Sequence, residues 1–212
     1  MSTVDNHRAG ERAPAEIRSP PLPAWATIEG MRTSTVADRI REATVVLGDR
    51  MDHGRYPDPA SWWRVPGLLA DLGPALAELF ADERPDVVLG PESRGCLLGP
   101  LVAVALGAGF VELRKNRRPV SDSDPWRHRT SAPDYRDRHL TLGFRRRLVS
   151  GGNRVLLVDD WIETGGQASA ARSLVAEAGA TWLGTAVIVD GLRSNEPRRR
   201  LGVRSLVHVR DL

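Results

Sequence analysis

The chain reads as an α/β protein with a mainly parallel, twisted sheet flanked by helices, for three reasons. From residue 85 onward, short apolar runs of strand type alternate with apolar-faced helical stretches, the pattern of parallel strands joined by crossover helices. Two of the strand-to-helix junctions, at 90–95 and 164–167, are glycine-bearing loops that can turn backbone N–H groups toward an anion at a helix N-terminus. The 212 residues, 41% hydrophobic and 27% charged, suit one domain with a buried core.

In chain order, residues 1–24 combine small, polar and charged residues with Ser19, Pro20, Pro21, Leu22 and Pro23 and show no period, which predicts a disordered tail before a single domain at 25–212. A helix is predicted from 35 to about 47, where Val36, Ile40, Ala43 and Leu47 share a face. An irregular stretch at 49–66 carries Gly54, Pro57, Pro59 and the pair Trp62 and Trp63. Leu68, Leu69, Leu72, Leu76, Leu79 and Phe80 predict a second helix at 68–80. Strands are predicted at 86–89, 109–113, 154–158, 182–189 and 203–209, with helices at 95–106 and 166–178. Rich in Arg, Asp, Ser and Pro, 116–133 is too long for an ordinary connection and predicts a functional flap, with a strand or edge hairpin near 138–144.

Charge and cysteine usage narrow the function classes. The formal charge of +3 and pI near 9.7 come from arginine, because Lys115 is the one lysine among 30 Lys and Arg, which leaves 30 − 1 = 29 arginines. So strong an arginine excess reads as a base-composition habit, so nucleic-acid binding is not expected, and the runs Arg145 to Arg147 and Arg198 to Arg200 read as solvated faces. It also singles out Lys115 as a position where arginine was not used. No apolar run reaches the roughly 18 residues of a membrane span, and no apolar region follows the basic residues near the N-terminus, so neither an anchor nor a secretory signal is expected. Cys96 is the one cysteine; it agrees with a reducing, cytoplasmic setting and reads as a small buried side chain. His7, His53, His128, His139 and His208 lack metal-ligand spacing, so no zinc site is proposed.

Chemistry concentrates at 154–168. Val155 to Val158 form an apolar strand that stops at Asp159 and Asp160, and a loop of Thr164, Gly165, Gly166 and Gln167 leads into an Ala-rich helix. Adjacent carboxylates suit vicinal sugar hydroxyls or a divalent cation, and the loop suits a phosphate, so the ligand reads as a sugar phosphate. A second loop, Gly90, Pro91, Glu92, Ser93, Arg94 and Gly95, joins a strand to a helix, and Arg94 adds a forked cation suited to phosphate; the alternative is a turn whose glycines serve geometry alone. Arg114 and Lys115 end the next strand, and in a parallel sheet all these loops lie at the ligand-binding edge.

The 154–168 stretch resembles the phosphoribosyl-pyrophosphate (PRPP) signature of type I phosphoribosyltransferases, and 90–119 is similar to the adenine phosphoribosyltransferases in its Glu-Ser-Arg-Gly, Leu-Gly-Ala-Gly-Phe-Val and Arg-Lys elements. That resemblance implies the type I phosphoribosyltransferase fold, with an N-terminal hood at about 35–80, a core at about 85–212 and a flexible catalytic flap. It implies ribose contacts at Asp159 and Asp160, with Mg²⁺ held indirectly through PRPP and water. It further places Thr164, Gly165, Gly166 and Gln167 on the 5-phosphate, and Glu92, Ser93, Arg94, Gly95, Arg114 and Lys115 on the pyrophosphate. Aligning Leu68 and Leu69 with the hood's Leu-Leu pair sets Trp62, beside Trp63, where the family stacks an aromatic ring on the base; the alternative is that both indoles pack the hood onto the core.

Departures from the pattern leave the acceptor open. Adenine enzymes carry a flap glutamate where this chain offers only Asp134, Tyr135, Arg136 and Asp137, then His139. Glu163 stands where hypoxanthine-guanine relatives have an acid near the purine, and reads either as the catalytic general acid/base, alongside Asp159 and Asp160, or as a carboxylate favoured by the helix macrodipole. Gln167 replaces a threonine. The implied reaction is transfer of ribose 5-phosphate from PRPP to a nitrogen of a purine-like base, adenine giving AMP, in a homodimer; the alternatives are a PRPP-binding regulator and a transferase with a non-purine acceptor.

Overall fold

The computed structural model describes residues 34–48, 56–116, 123, 125–132 and 139–212. The predicted tail at 1–24, much of the predicted flap and Asp134 to Asp137 lie outside the described residues.

Helix α1, Val36–Ala43, starts from a capping box in which Thr35 and Asp38 satisfy each other's backbone N–H groups. It stops earlier than predicted. Thr44, Val45 and Val46 are β-branched and costly to continue as helix, and β1, Val45–Leu47, pairs antiparallel with β2, Tyr56–Asp58. Leu47, expected on the helix face, is an exposed strand residue. A 3₁₀ turn, Pro59–Arg64, leads into α2, Pro66–Glu78. Buried Arg39 of α1 pairs with Asp71 of α2 and fixes these two helices together.

The main sheet has seven strands in the order β5-β6-β4-β3-β7-β8-β9: β3 is Val87–Pro91, β4 Gly109–Lys115, β5 Trp126–Thr130, β6 Thr141–Arg145, β7 Arg154–Ile162, β8 Thr181–Asp190 and β9 Val203–His208. β4, β3, β7, β8 and β9 run parallel, and the β5–β6 hairpin closes one edge antiparallel. Alternation along the strands sends Val87, Leu89, Val155 and Leu157 into a core under α4, Gly166–Glu177. Val88, Leu156 and Val158 instead meet α2 and α3, Gly95–Leu106, in a second core that also takes in Ile40 and Trp62.

Three features differ from the sequence reading. β5 forms inside the predicted flap, because β6 supplies a ladder partner along its whole length. A short helix, α5, Asn195–Leu201, follows β8; Arg198, read as part of a solvated run, instead binds the buried Asp190 carboxylate and the Leu192 carbonyl. β7 does not stop at the acids. It continues through Ile162 because β8 offers partners as far as Asp190, so Asp159 and Asp160 are strand residues.

Candidate active site

The C-terminal ends of β3, β4 and β7 open on a cavity of ≈ 810 Å³, where ligands collect in sheets of this kind. Its floor is the acid pair. Asp159 Oδ1 accepts the Asp160 backbone N–H at 2.9 Å, and the buried Asp160 carboxylate pairs with Arg94 across the cavity at 2.8 Å. Burial, and then the neighbouring Asp160 charge, push the Asp159 carboxyl well above the usual carboxylate range, against a smaller opposing pull from Lys115.

One wall is the entry to α4. Gly165 has φ of +75°, a left-handed conformation that glycine adopts without strain, and it sets the following N–H groups at the helix N-terminus. Thr164 Oγ1 accepts the Gly166 N–H at 3.3 Å. A side chain at Gly166 would come to 3.0 Å from the Ala132 carbonyl, so the β5–β6 hairpin runs close against this loop. Residues 91–94 of the 90–95 loop form another part of the wall. A Cβ at Gly90 would lie 2.3 Å from the Gly95 carbonyl oxygen, which leaves no room for any other residue in the turn.

The phosphoribosyl transferase domain matches residues 64–208. The chain belongs to the phosphoribosyltransferase family. It is 35% identical over 137 residues to an adenine phosphoribosyltransferase of Natranaerobius thermophilus, covering 64% of this chain and 76% of the relative. Among solved structures, adenine phosphoribosyltransferase from Rhodothermus marinus superposes with a TM-score of 0.68 at 29% identity over 82% of this chain and 98% of the other. The Giardia lamblia enzyme, crystallised with 9-deazaadenine, gives 0.70 at 27% identity over 83% and 98%.

In this phosphoribosyltransferase the cavity brings together Glu92, Ser93, Arg94, Lys115, Asp159, Asp160 and Glu163 through Gln167. Gly95 is buried beneath the loop. Two residues take other roles than expected. Arg114 does not line the cavity; it is held by Glu92 at 3.0 Å and Glu112 at 3.1 Å. Glu92 lines the cavity, but its carboxylate holds Arg114 and the Lys115 backbone N–H, and an acid is in any case like-charged with pyrophosphate.

The hood indoles also need correcting. Trp62 is fully buried, its N–H donating to Thr44 Oγ1 at 2.9 Å, and Trp63 packs against the same core; neither lines the cavity. Packing wins because Trp62 fills the space between α1 and α2, with Ile40 and Leu68 in the same core. The aromatic residue that does line the cavity is Trp161, with Pro57 and Pro59 of the hood also on the wall. Its signal was available as a large aromatic directly after the acid pair. The Gln167 amide oxygen is buried without a hydrogen-bond donor among the described residues, and Glu163 is exposed to the cavity. Burial and the Glu112 and Glu92 carboxylates push the Cys96 thiol up to about 11, which makes it a poor nucleophile at neutral pH.

Proposed function

We propose that the protein transfers the 5-phosphoribosyl group of PRPP to a ring nitrogen of adenine, forming AMP and releasing pyrophosphate. The carrying observation is that one cavity is lined by an adjacent acid pair, a helix N-terminus and the cations Arg94 and Lys115, with Arg94 paired to Asp160. These match the three parts of PRPP: ribose hydroxyls, 5-phosphate and pyrophosphate. Adenine as the base follows from the relatives, which are adenine phosphoribosyltransferases.

Mg²⁺ is typically held by one or two carboxylates plus substrate phosphates, and the adjacent Asp159 and Asp160 on the cavity supply such carboxylates. Asp159 and Asp160 would hold it through ribose hydroxyls and water. Bound Mg²⁺ would supply charge neutralisation on the leaving pyrophosphate. Arg94 and Lys115 neutralise the same oxygens directly as the C1–O bond breaks and the C1–N bond forms. Glu163, exposed on the cavity wall, takes the proton that the base nitrogen sheds, and Trp161 offers the base a flat apolar wall.

The active unit is a homodimer in the cytoplasm. Leu97, Leu101 and Val104 recur at helical spacing on α3 and are 56%, 37% and 83% exposed, an apolar stripe for a second copy to cover. Among the described residues no helix is long and apolar enough to cross a membrane. Pyrophosphate release should be measured with PRPP, Mg²⁺ and adenine, hypoxanthine, guanine or non-purine bases. Release with adenine is expected; PRPP binding without release for every base would overturn the reading in favour of a regulator.

A further inference from the structure

The end of β4 is held asymmetrically. On one edge, Arg114 and Lys115 pair with Gly143 and Leu142 of β6. On the other edge the ladder with β3 stops at Pro91 and Leu113, two residues before β4 ends. Glu92, the next residue after β3, takes over where the backbone ladder stops. Its backbone N–H donates to the Leu113 carbonyl at 3.0 Å, one carboxylate oxygen accepts the Lys115 N–H at 2.7 Å, and the other accepts the Arg114 guanidinium at 3.0 Å.

This arrangement resolves a chemical mismatch. A carboxylate on the wall of a polyanion site repels its ligand unless its charge is engaged elsewhere. Here both oxygens are engaged by β4, and Glu112 shares the Arg114 charge from the same strand. Arg114 is thereby kept off the cavity wall, while Lys115, the next residue and so on the opposite face of the strand, lines it. We propose that Glu92 is a positioning residue that fastens the end of β4 to the 90–95 loop and so aims the Lys115 ammonium into the cavity. Charge-assisted bonds of this type are about twice as strong as neutral ones, so losing both leaves the strand end to the β6 edge alone.

The kinetic part of the test rests on the PRPP reading; the spectroscopic part does not. Because Lys115 is the one lysine, reductive methylation with ¹³C-formaldehyde labels it uniquely apart from the N-terminal amine. Glu92→Ala should shift and broaden the Lys115 methyl resonance, Glu92→Gln should do so less, and Glu112→Gln should leave it in place. In turnover, Glu92→Ala should raise KM for PRPP about 10-fold or more, as expected for lost hydrogen bonds to a charged group, with KM for the base changed less than about 2-fold. In a Lys115→Ala background the same change should add less than about 2-fold, because the group that Glu92 positions is gone. An unmoved Lys115 resonance, a parallel rise in KM for the base, or a full Glu92→Ala effect in the Lys115→Ala background would each overturn the proposal. If the wild-type protein turned over no base, the enzymatic reading would fail while the resonance would still decide the role of Glu92; should Glu92→Ala not fold, Glu92→Gln carries the same comparison.

Discussion

Replacing Asp159 by Asn should stabilise the fold and abolish nucleotide formation together. The Asp159 carboxyl is pushed well above its ordinary value of 3.8, first by burial and then by the adjacent Asp160 charge. In the folded state it therefore keeps its proton to higher pH than in the unfolded chain. Between 3.8 and the raised folded value the native state binds the extra proton, so stability falls as pH rises, by at most about 1.4 kcal/mol per pH unit for one group. Above the folded value the penalty is full; below 3.8 it vanishes. Asn carries no charge at any pH, yet its side-chain oxygen can still accept the Asp160 N–H that Asp159 accepts at 2.9 Å. Chemical denaturation of Asp159→Asn and parent from pH 4 to 8 should show the variant more stable at pH 8, with the gap closing toward pH 4. An Asn variant equally stable or less stable than the parent at pH 8 would refute the claim that charge repulsion and burial are held in place for function. Retained AMP formation would refute the placement of the ribose hydroxyls on this acid.

Two further outcomes test the base wall and the subunit surface. Trp161→Ala should raise KM for adenine about 10-fold, the scale of a lost aromatic platform, while KM for PRPP changes less than about 2-fold; initial-rate kinetics with each substrate varied would expose the opposite pattern. Val104→Glu, at an 83% exposed position on α3, should convert a dimer to a monomer with little loss of thermal stability, and sedimentation showing an unchanged mass would remove α3 from the interface.

The parallel core was legible because its strands are continuous apolar runs and its helices begin at glycine loops; α3 starts at Gly95 and α4 at Gly166, as the sequence implies. What escaped depends on partners distant in sequence. Nothing local in Trp126 to Thr130 distinguishes a strand from a polar flap until β6 pairs with it. Arg198 reads as solvated until the fold places Asp190 beside it. Trp62 reads equally as a stacking platform or a core residue until the packing between α1 and α2 buries it, and Trp161, to which the sequence reading gave no role, is the indole on the cavity wall. The acid pair and both glycine loops could be located because each lies within a few consecutive residues.

Strand β7 links these outcomes. Simple alternation from Leu157 would put Asp159 and Trp161 on one face and Asp160 and Ile162 on the other. The packing departs from this after Asp160: Trp161 joins the core with Trp62 and Leu68, whereas Ile162 joins the core beneath α4. The ladder with β8 keeps one register through this stretch, with Asp159 opposite Val187, Trp161 opposite Val189 and Ile162 opposite Asp190. This packing sets Trp161 on the same cavity as the hood residues Pro57 and Pro59, so that the acid pair and the indole wall come from adjacent positions of one ladder-held strand. A strand that ended at Val158 would have left both on a loop, where the sub-ångström placement that displacement chemistry requires is harder to maintain. The continuation of β7 to Ile162, made possible by a β8 that reaches Asp190, is thus what gives the acid pair and its neighbouring indole fixed positions relative to each other.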